Sequence, residues 1–98
     1  MIDAEKLFGT PDYNKILKAI SRSGAPNILC SLEKGPKKFS QLMFEAKLNP
    51  GVLDRNLKAL IELEIIEKRE GRYILTDRGK EIVVFIKKLT NLFSNHKI

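Results

Sequence analysis

The residues best suited to contact another molecule lie within 49–61, which read N-P-G-V-L-D-R-N-L-K-A-L-I. Asn49 is a favourable N-cap and Pro50 fits the first helical position, so the stretch predicts a helix that begins there. Leucine and isoleucine repeat along one side of this helix at helical spacing. The opposite side carries slim or basic residues: Gly51, Val52 and Arg55, with Lys58 to one side. Because an arginine fork can donate two hydrogen bonds to guanine O6 and N7, the pattern predicts a helix that reads base edges in a DNA groove.

The neighbours of Arg55 have predicted roles of their own. Gly51 adds no bulk, which lets the backbone approach DNA closely, and Val52 suits contact with a thymine methyl group. Asn56 and Lys58 lie on the flanks of the helix, where we expect them to reach phosphates. The alternative is that Arg55 and Lys58 are solvated helix surface, paired with carboxylates at helical spacing.

Other candidates for phosphate contact precede the first helix of the predicted motif. Lys37 and Lys38 lie just before this helix, near the expected path of the DNA backbone. Ser40 and Gln41 begin it, and their backbone N–H groups can bind a phosphate with help from the helix dipole. For the two lysines, simple solubility is the competing interpretation.

Basic residues also surround a predicted hairpin tip at 68–72. Arg69 and Arg72 are expected to lie along the DNA backbone, since a two-residue turn makes the hairpin short. The competing interpretation is that Lys68 and Arg69 protect an exposed edge strand from pairing. The carboxylate of Glu70 at the tip opposes phosphate contact.

The elements that position these residues follow from apolar spacing and from helix and turn signals. Thr10 and Ser40 are predicted N-caps, Thr76 caps the last helix, and a Glu70–Gly71 turn joins two strands. The predicted segments, in order, are a helical turn at 3–8, helices at 11–23, 26–34, 41–47 and 50–63, strands at 65–69 and 72–75, and a helix at 77–94, with a short extended link at 37–39.

This order predicts a mainly α fold with a small β-hairpin, a winged helix-turn-helix with an extra N-terminal helix and a long C-terminal helix. We expect one domain over residues 1–98. Its parts are an N-terminal helical extension at 1–24, a winged-helix core at 25–76 and a C-terminal dimerisation helix at 77–98.

Three segments carry a resemblance to known families: K-G-P-K-K-F-S-Q-L (34–42), the leucine ladder of 53–60, and I-I-E-K-R-E-G-R-Y-I-L-T-D-R-G-K-E (65–81). From about residue 28 to 89 the chain resembles winged helix-turn-helix regulators of the HxlR, ArsR and MarR kind. Its short wing and the L-M-F-E-A-K-L-N stretch (42–49) are similar to archaeal winged-helix chromatin proteins of the 10a type. The resemblance implies a dimeric protein that binds double-stranded DNA.

The first and last predicted helices carry more apolar surface than one small core can cover. An apolar patch of this size usually marks an interface, so we expect a two-fold homodimer. The alternative is that the two terminal helices pack together within one chain. The predicted interface residues are Tyr13, Ile16, Leu17, Ile20, Phe85, Ile86, Leu89, Leu92 and Phe93.

Composition agrees with a small DNA-binding domain in the cytoplasm, associated with the nucleoid. The chain has 98 residues and a net charge of +6, and its pI is about 9.6. A basic pI is one mark of nucleic-acid binders, because lysine and arginine release counterions from phosphates. No apolar run is long enough for a membrane span, and no signal peptide is expected.

Catalysis and cofactor binding are not expected from this sequence. Cys30 lies among apolar residues in a predicted helix and is interpreted as buried. His96 has no second histidine or cysteine to complete a metal site. No glycine-rich phosphate loop or nucleophile–base pair is present, and nothing specifies a small-molecule effector.

Three functions remain open at this point. The first is a sequence-specific transcriptional regulator, and the second is an architectural chromatin protein with little base readout. They differ in the ratio of specific to random-sequence affinity. The third is a winged-helix protein-interaction module, since fold alone does not decide function. The basic residues on the predicted recognition face rank it last.

Overall fold

Five α-helices and one β-hairpin follow one another within residues 13–94, the part of the chain that the computed structural model describes. The predicted helical turn at 3–8 and the Thr10 cap lie outside it. The helices are α1 (Tyr13–Ser21), α2 (Ala25–Glu33), α3 (Phe39–Ala46), α4 (Pro50–Glu62) and α5 (Asp77–Ser94), and the strands are β1 (Ile66–Arg69) and β2 (Arg72–Leu75).

The helix-turn-helix is formed by α3 and α4. The side-chain oxygen of Asn49 accepts a hydrogen bond from the backbone N–H of Val52 at 2.9 Å, and Pro50 occupies the first turn. The predicted start of this helix is therefore confirmed. The turn contains three residues, because α3 ends at Ala46 and Lys47 takes a left-handed conformation with φ 57°.

The N-terminus of α3 differs from the prediction. The N-cap is Lys38 and not Ser40, so the helix begins two residues earlier than expected. The backbone N–H of Lys38 donates to Oε1 of Gln41 at 2.8 Å. The reason is that a glutamine three residues after the N-cap satisfies the cap's own N–H, a role that a search for Ser or Thr caps overlooks.

The hairpin is antiparallel and pairs Arg69 with Arg72 next to the turn. Glu70 and Gly71 both have positive φ, 52° and 78°, which is the conformation of the tight turns that suit the twist of two short strands. The link before α3 joins this sheet, because Lys37 and Tyr73 exchange two backbone hydrogen bonds of 3.1 and 2.8 Å. The extended link predicted at 37–39 is confirmed at Lys37 and Lys38 and forms a single bridge at Lys37, whereas Phe39 already belongs to α3.

The core lies between α2, α3, α4 and the hairpin, and α5 closes one side of it. Helix α1 packs on α2 and α4, whereas α5 packs on α2 and β2. The hydroxyl of Thr76 accepts a bond from the N–H of Gly79 at 3.1 Å, so the predicted cap of the last helix is confirmed. The largest fully buried side chains are Ile28, Leu29, Leu42, Leu53, Leu57, Leu60, Ile65 and Ile66.

Two glycines allow close approaches between these elements. A Cβ at Gly24, which has φ 92°, would lie 2.8 Å from the side chain of Leu48, so the α1–α2 turn rests on the helix-turn-helix turn. A Cβ at Gly79 would overlap the carbonyl oxygen of Ile65, where α5 crosses the start of the hairpin. Side chains at either position would push these elements apart.

Within residues 13–94, no helix combines the length and the apolar character needed to cross a membrane.

Candidate nucleic-acid interface

Helix α4 turns one side into the core and the other to solvent. Leu53, Leu57 and Leu60 are buried, whereas Arg55 and Lys58 are exposed. This is the orientation that the leucine spacing predicts. The exposed face is narrow and basic at the N-terminal end of the helix, which is the end that enters a major groove in helix-turn-helix proteins.

Gly51 lies on this exposed face beside the guanidinium of Arg55. A Cβ at Gly51 would sit 3.5 Å from Oδ1 of Asn49 and 3.6 Å from Nη1 of Arg55, both ordinary contact distances. Internal packing therefore does not require glycine here, unlike at Gly24 and Gly79. A glycine in a helix lowers stability relative to alanine, and the contacts among the described residues give no reason for a glycine at this position.

Lys58 forms an ion pair with Asp54 one turn away, with Nζ 2.9 Å from the carboxylate. The alternative interpretation, in which Lys58 is helix surface paired with a carboxylate, is thus correct about the pairing. Both side chains are at least half exposed, and exposed pairs contribute little to stability. Lys58 can exchange this partner for a phosphate at small cost.

Asn56 is not on the flank of the helix, and its predicted phosphate contact is wrong. The residue is only 3% exposed. Its Nδ2 donates to the carbonyl of Ser23 at 3.1 Å and to that of Val52 at 3.0 Å. Asn56 lies three residues after Leu53 and four before Leu60, so helical geometry turns it toward the core. It ties α4 to the α1–α2 turn.

Lys37 is also less available than expected. Its side chain is 15% exposed, and Nζ lies 3.3 Å from the carboxylate of Glu45. The buried hydroxyl of Ser31 donates to the same carboxylate at 2.5 Å. These groups, Ser31 first and then Lys37, hold the pKa of Glu45 below its ordinary value. The network joins α2, α3 and the link before α3. Lys37 therefore has a structural role, and contact with a phosphate would require it to leave Glu45.

The first turn of α3 remains open to solvent. Lys38, Ser40 and Gln41 are exposed. The first intrahelical bond is donated by Leu42 to the carbonyl of Lys38, so the preceding N–H groups have no intrahelical acceptor. The backbone donors expected at Ser40 and Gln41 are thus in place for an anion, although the side chain of Gln41 caps its own helix.

The wing presents a mixed surface. Arg69 lies 2.6 Å from the carboxylate of Glu67 on the same strand, whereas Arg72 is exposed at the other side of the turn. Lys68 lies over the ring of Tyr73, with Nζ 5.4 Å from the ring centroid. Arg72 is therefore the better placed of the two predicted wing arginines for contact with a DNA backbone.

The exposure of Cys30 differs from the prediction, and the sequence analysis does not identify Lys47. Cys30 is exposed and not buried, because it falls on the outer side of α2 between Leu29 and the buried Ser31. Lys47 was not predicted as a site residue, yet it is exposed in the turn between α3 and α4. Its place in the turn that precedes the recognition helix is the signal that could have identified it.

The apolar surface predicted as an interface is concentrated on α5. From residue 87 to 94 every position of α5 is exposed, although the stretch contains three large apolar side chains. On α1, Ile16 and Ile20 pack partly against the core of their own chain, as does Ile86 on α5. These three residues are thus less available to a partner than predicted. The exposed apolar residues of the two helices are Leu17, Val84, Phe85, Leu89, Leu92 and Phe93.

The chain belongs to the winged helix-turn-helix family, whose characteristic pattern matches residues 25–94. The predicted fold class is therefore confirmed. The match begins at α2 and includes α5, so the long last helix is part of the family's pattern. No functionally curated protein matches the sequence.

Solved structures of transcriptional regulators share this fold. Quinone-bound YodB from B. subtilis superposes with a TM-score of 0.79 at 21% identity, over 88% of this chain and 99% of that protein. A second similar structure is the homodimeric winged helix-turn-helix DNA-binding domain of Mb0332 from Mycobacterium bovis, a possible ArsR-family regulator. Its TM-score is 0.72 at 19% identity, over 97% of this chain and 90% of that one. The transcriptional repressor BigR from Xylella fastidiosa gives 0.67 at 21% identity, over 89% and 88%. At these identities the likeness concerns the fold.

Proposed function

We propose that this chain is a double-stranded DNA-binding transcriptional regulator that acts as a homodimer. The observation that carries the proposal is the exposed tip of α4, where Arg55 stands beside a glycine that the chain's own packing does not require. Gly51 lets the helix backbone come close to the bases, and the guanidinium of Arg55 can donate two hydrogen bonds to a base edge in the major groove. The proposed activity is binding, without a catalytic step.

The other contacts hold the recognition helix in place. Val52 meets a base or its methyl group, and Lys58 exchanges Asp54 for a phosphate. The first turn of α3 binds a phosphate through backbone N–H groups, helped by the helix dipole. The wing lies along the backbone through Arg72 and Arg69. Lys38 belongs to this set, whereas Lys37 contributes mainly by fixing α3.

A second copy of the chain is the proposed partner of α5. The helix has 18 residues, about 27 Å at 1.5 Å per residue, and every position from residue 87 to 94 is exposed in this chain. Leu89, Leu92 and Phe93 would lose their exposure in a two-fold pair of such helices. The homodimeric state of the Mb0332 domain supports a homodimer, and the exposed apolar side chains of α5 support its location. A dimer places two recognition helices about 34 Å apart, one turn of DNA.

Selection of duplexes from a random pool, followed by binding measurements on the enriched and a scrambled duplex, tests the proposal. We expect an enriched near-palindrome. Arg55→Ala should weaken binding to the enriched duplex by ~1–3 kcal/mol and leave the scrambled duplex nearly unchanged. Lys80→Ala, an exposed lysine on α5, is the matched control and should change neither.

The competing functions give different results in the same experiment. An architectural chromatin protein would bind the pool without enrichment, and Arg55→Ala would then weaken both duplexes equally. A protein-interaction module would bind no duplex at ionic strengths where non-specific DNA binders do. Either result would replace the proposed function.

A further inference from the structure

We infer that a basic edge on α1, formed by Lys15, Lys18 and Arg22, binds the DNA backbone beside the recognition helix. This inference rests on the proposed DNA-binding function and extends the contact surface beyond the helix-turn-helix and the wing. Lys15 and Lys18 are one turn apart, and Arg22 follows one turn later, directly after the end of α1. The spacing places the three cations on one side of the helix.

The three side chains line an open groove between α1 and α4. Its volume is about 320 Å³, and the α4 side consists of Ala59, Glu62 and Leu63. All three cations are exposed, and none of them belongs to an ion pair among residues 13–94. The groove is therefore bordered by cations that have no carboxylate partner in the described part of the chain.

The groove borders the face of α4 that is proposed to enter DNA. Ala59 lies one turn after Arg55, and Glu62 lies one turn after Lys58, so both adjoin the exposed basic face. At the other end of the groove, the bond from Asn56 to the carbonyl of Ser23 holds the residue next to Arg22 against α4. The basic edge thus runs alongside the C-terminal half of α4, from Asn56 to Leu63.

The dimensions of DNA explain what such an edge would meet. An α-helix with its side chains is about 10–12 Å across, and the major groove is about 12 Å wide. When a helix fills the groove, the neighbouring parts of the protein come close to the phosphates on either side of the groove. Since α1 lies beside α4, its basic edge faces the phosphates on one of these sides. A row of exposed cations is the surface that fits a row of phosphates.

The same edge is separate from the surface proposed for dimerisation. On α1, Ala19 faces the core and Ile16 and Ile20 pack partly against it. The helical positions of Lys15 and Leu17 fall on opposite sides of this buried face. The basic edge can therefore contact DNA while Leu17 remains available to the partner subunit.

The test is a triple variant, Lys15→Ala, Lys18→Ala and Arg22→Ala, titrated with a mixed-sequence duplex of about 30 base pairs at several salt concentrations. Each lost phosphate contact lowers the slope of log K against log salt by about 0.9. We expect the slope to fall by roughly two to three and the affinity at low salt to fall about tenfold or more. Circular dichroism and sedimentation should show an unchanged fold and oligomeric state, since the three side chains are exposed.

A matched control removes the same charge from another helix. The triple variant Lys80→Ala, Lys87→Ala and Lys88→Ala acts on α5, which packs on α2 and β2, and should change the slope by less than one unit. Equal slope changes in the two triple variants would mean that only the net charge of the protein matters, and this would overturn the inference. An unchanged slope in the α1 variant would also overturn it, with the proposed function intact. Failure of the unaltered protein to bind any duplex would instead refute the proposed function itself.

Glu62→Gln provides an independent measurement. This carboxylate lines the groove and opposes phosphate approach, so its removal should tighten binding by roughly two- to fivefold, the range of an exposed charge interaction. Tighter binding supports phosphate contact at the groove, and unchanged binding contradicts it.

Discussion

The side-chain amide of Asn56, in the middle of α4, donates a hydrogen bond of 3.1 Å to the backbone carbonyl of Ser23 in the α1–α2 turn. The two residues are 33 positions apart in the sequence. The same amide also donates to the carbonyl of Val52, while Oδ1 has no hydrogen-bond partner among the described residues. One buried polar side chain thereby couples the recognition helix to the turn that carries Arg22.

Asn56→Ala should lower the free energy of unfolding by about 1–3 kcal/mol, because it removes a buried hydrogen bond between two elements and leaves a small cavity. Chemical denaturation followed by circular dichroism measures this change. Lys58→Ala, two residues along on the exposed face, is the control and should stay within about 0.5 kcal/mol. Equal unfolding midpoints for the two variants would show that the bond to Ser23 contributes nothing.

The Glu45 network predicts a pH dependence of stability. Ser31 and Lys37 stabilise the carboxylate, so the pKa of Glu45 is lower in the folded chain than its ordinary value of 4.5. The unfolded state then binds a proton more readily than the folded state, and acid favours unfolding. The stabilisation is present above the ordinary carboxyl range and is lost as the pH falls through the lowered folded pKa.

Glu45→Gln should therefore be less stable than the unaltered protein at neutral pH, and the difference should shrink in acid. Denaturant midpoints between about pH 7 and pH 3 test this sign. Glu81→Gln, at an exposed position of α5, serves as the control and should follow the unaltered protein throughout. A constant difference between Glu45→Gln and the unaltered protein across this pH range would contradict the assigned contacts.

The exposed half of α5 predicts the effect of a charge at the proposed dimer interface. Leu89→Glu would place a carboxylate among apolar side chains of two subunits, which is strongly unfavourable without a partner charge. We expect the dimer to weaken by ~2 kcal/mol or more, a factor of about thirty in the dissociation constant. Sedimentation equilibrium at several concentrations provides the measurement.

Lys88→Glu is the neighbouring control for this prediction and changes a position that is already polar. If sedimentation shows the unaltered protein to be monomeric at tens of micromolar, or if Leu89→Glu dimerises normally, then α5 is not the interface.

The sequence predicted those features that depend on local signals. The start of α4 follows from Asn49 and Pro50, and the hairpin turn follows from Glu70 and Gly71, because caps and tight turns are determined by a few adjacent residues. Winged-helix topology then follows from the order of the elements. The cap of α3 was misplaced because Lys38 uses its backbone and the side chain of Gln41, an arrangement that residue type at the cap does not indicate.

What the sequence could not provide was the partner of a polar residue across the fold. The sequence analysis puts Asn56 on the flank of the helix, although its spacing from Leu53 and Leu60 indicates the buried side. The sequence analysis expects Lys37 at the DNA backbone. The residues next to it do not indicate its ion-pair partner, Glu45, which lies on α3. In both cases the bonding partner lies on another element of the fold, and the residues next to a polar side chain do not identify such a partner.

Gly51 offers a prediction in which stability and binding move in opposite directions. Gly51→Ala should raise the free energy of unfolding by up to about 1 kcal/mol, since alanine favours the helix and the added Cβ meets only ordinary contacts. The same methyl group would stand between the helix backbone and DNA, so affinity for the selected duplex should fall. Thermal unfolding and fluorescence anisotropy on one preparation measure both effects.

Asn91→Ala is the control for this last substitution, because it improves helix propensity at an exposed position of α5, away from the recognition helix. It should raise stability by a similar or smaller amount and leave DNA affinity unchanged. If Gly51→Ala instead combines higher stability with full affinity, then the backbone at residue 51 does not approach DNA closely. The glycine would then be a helix defect without a binding role, and the recognition contact would depend on Arg55 alone.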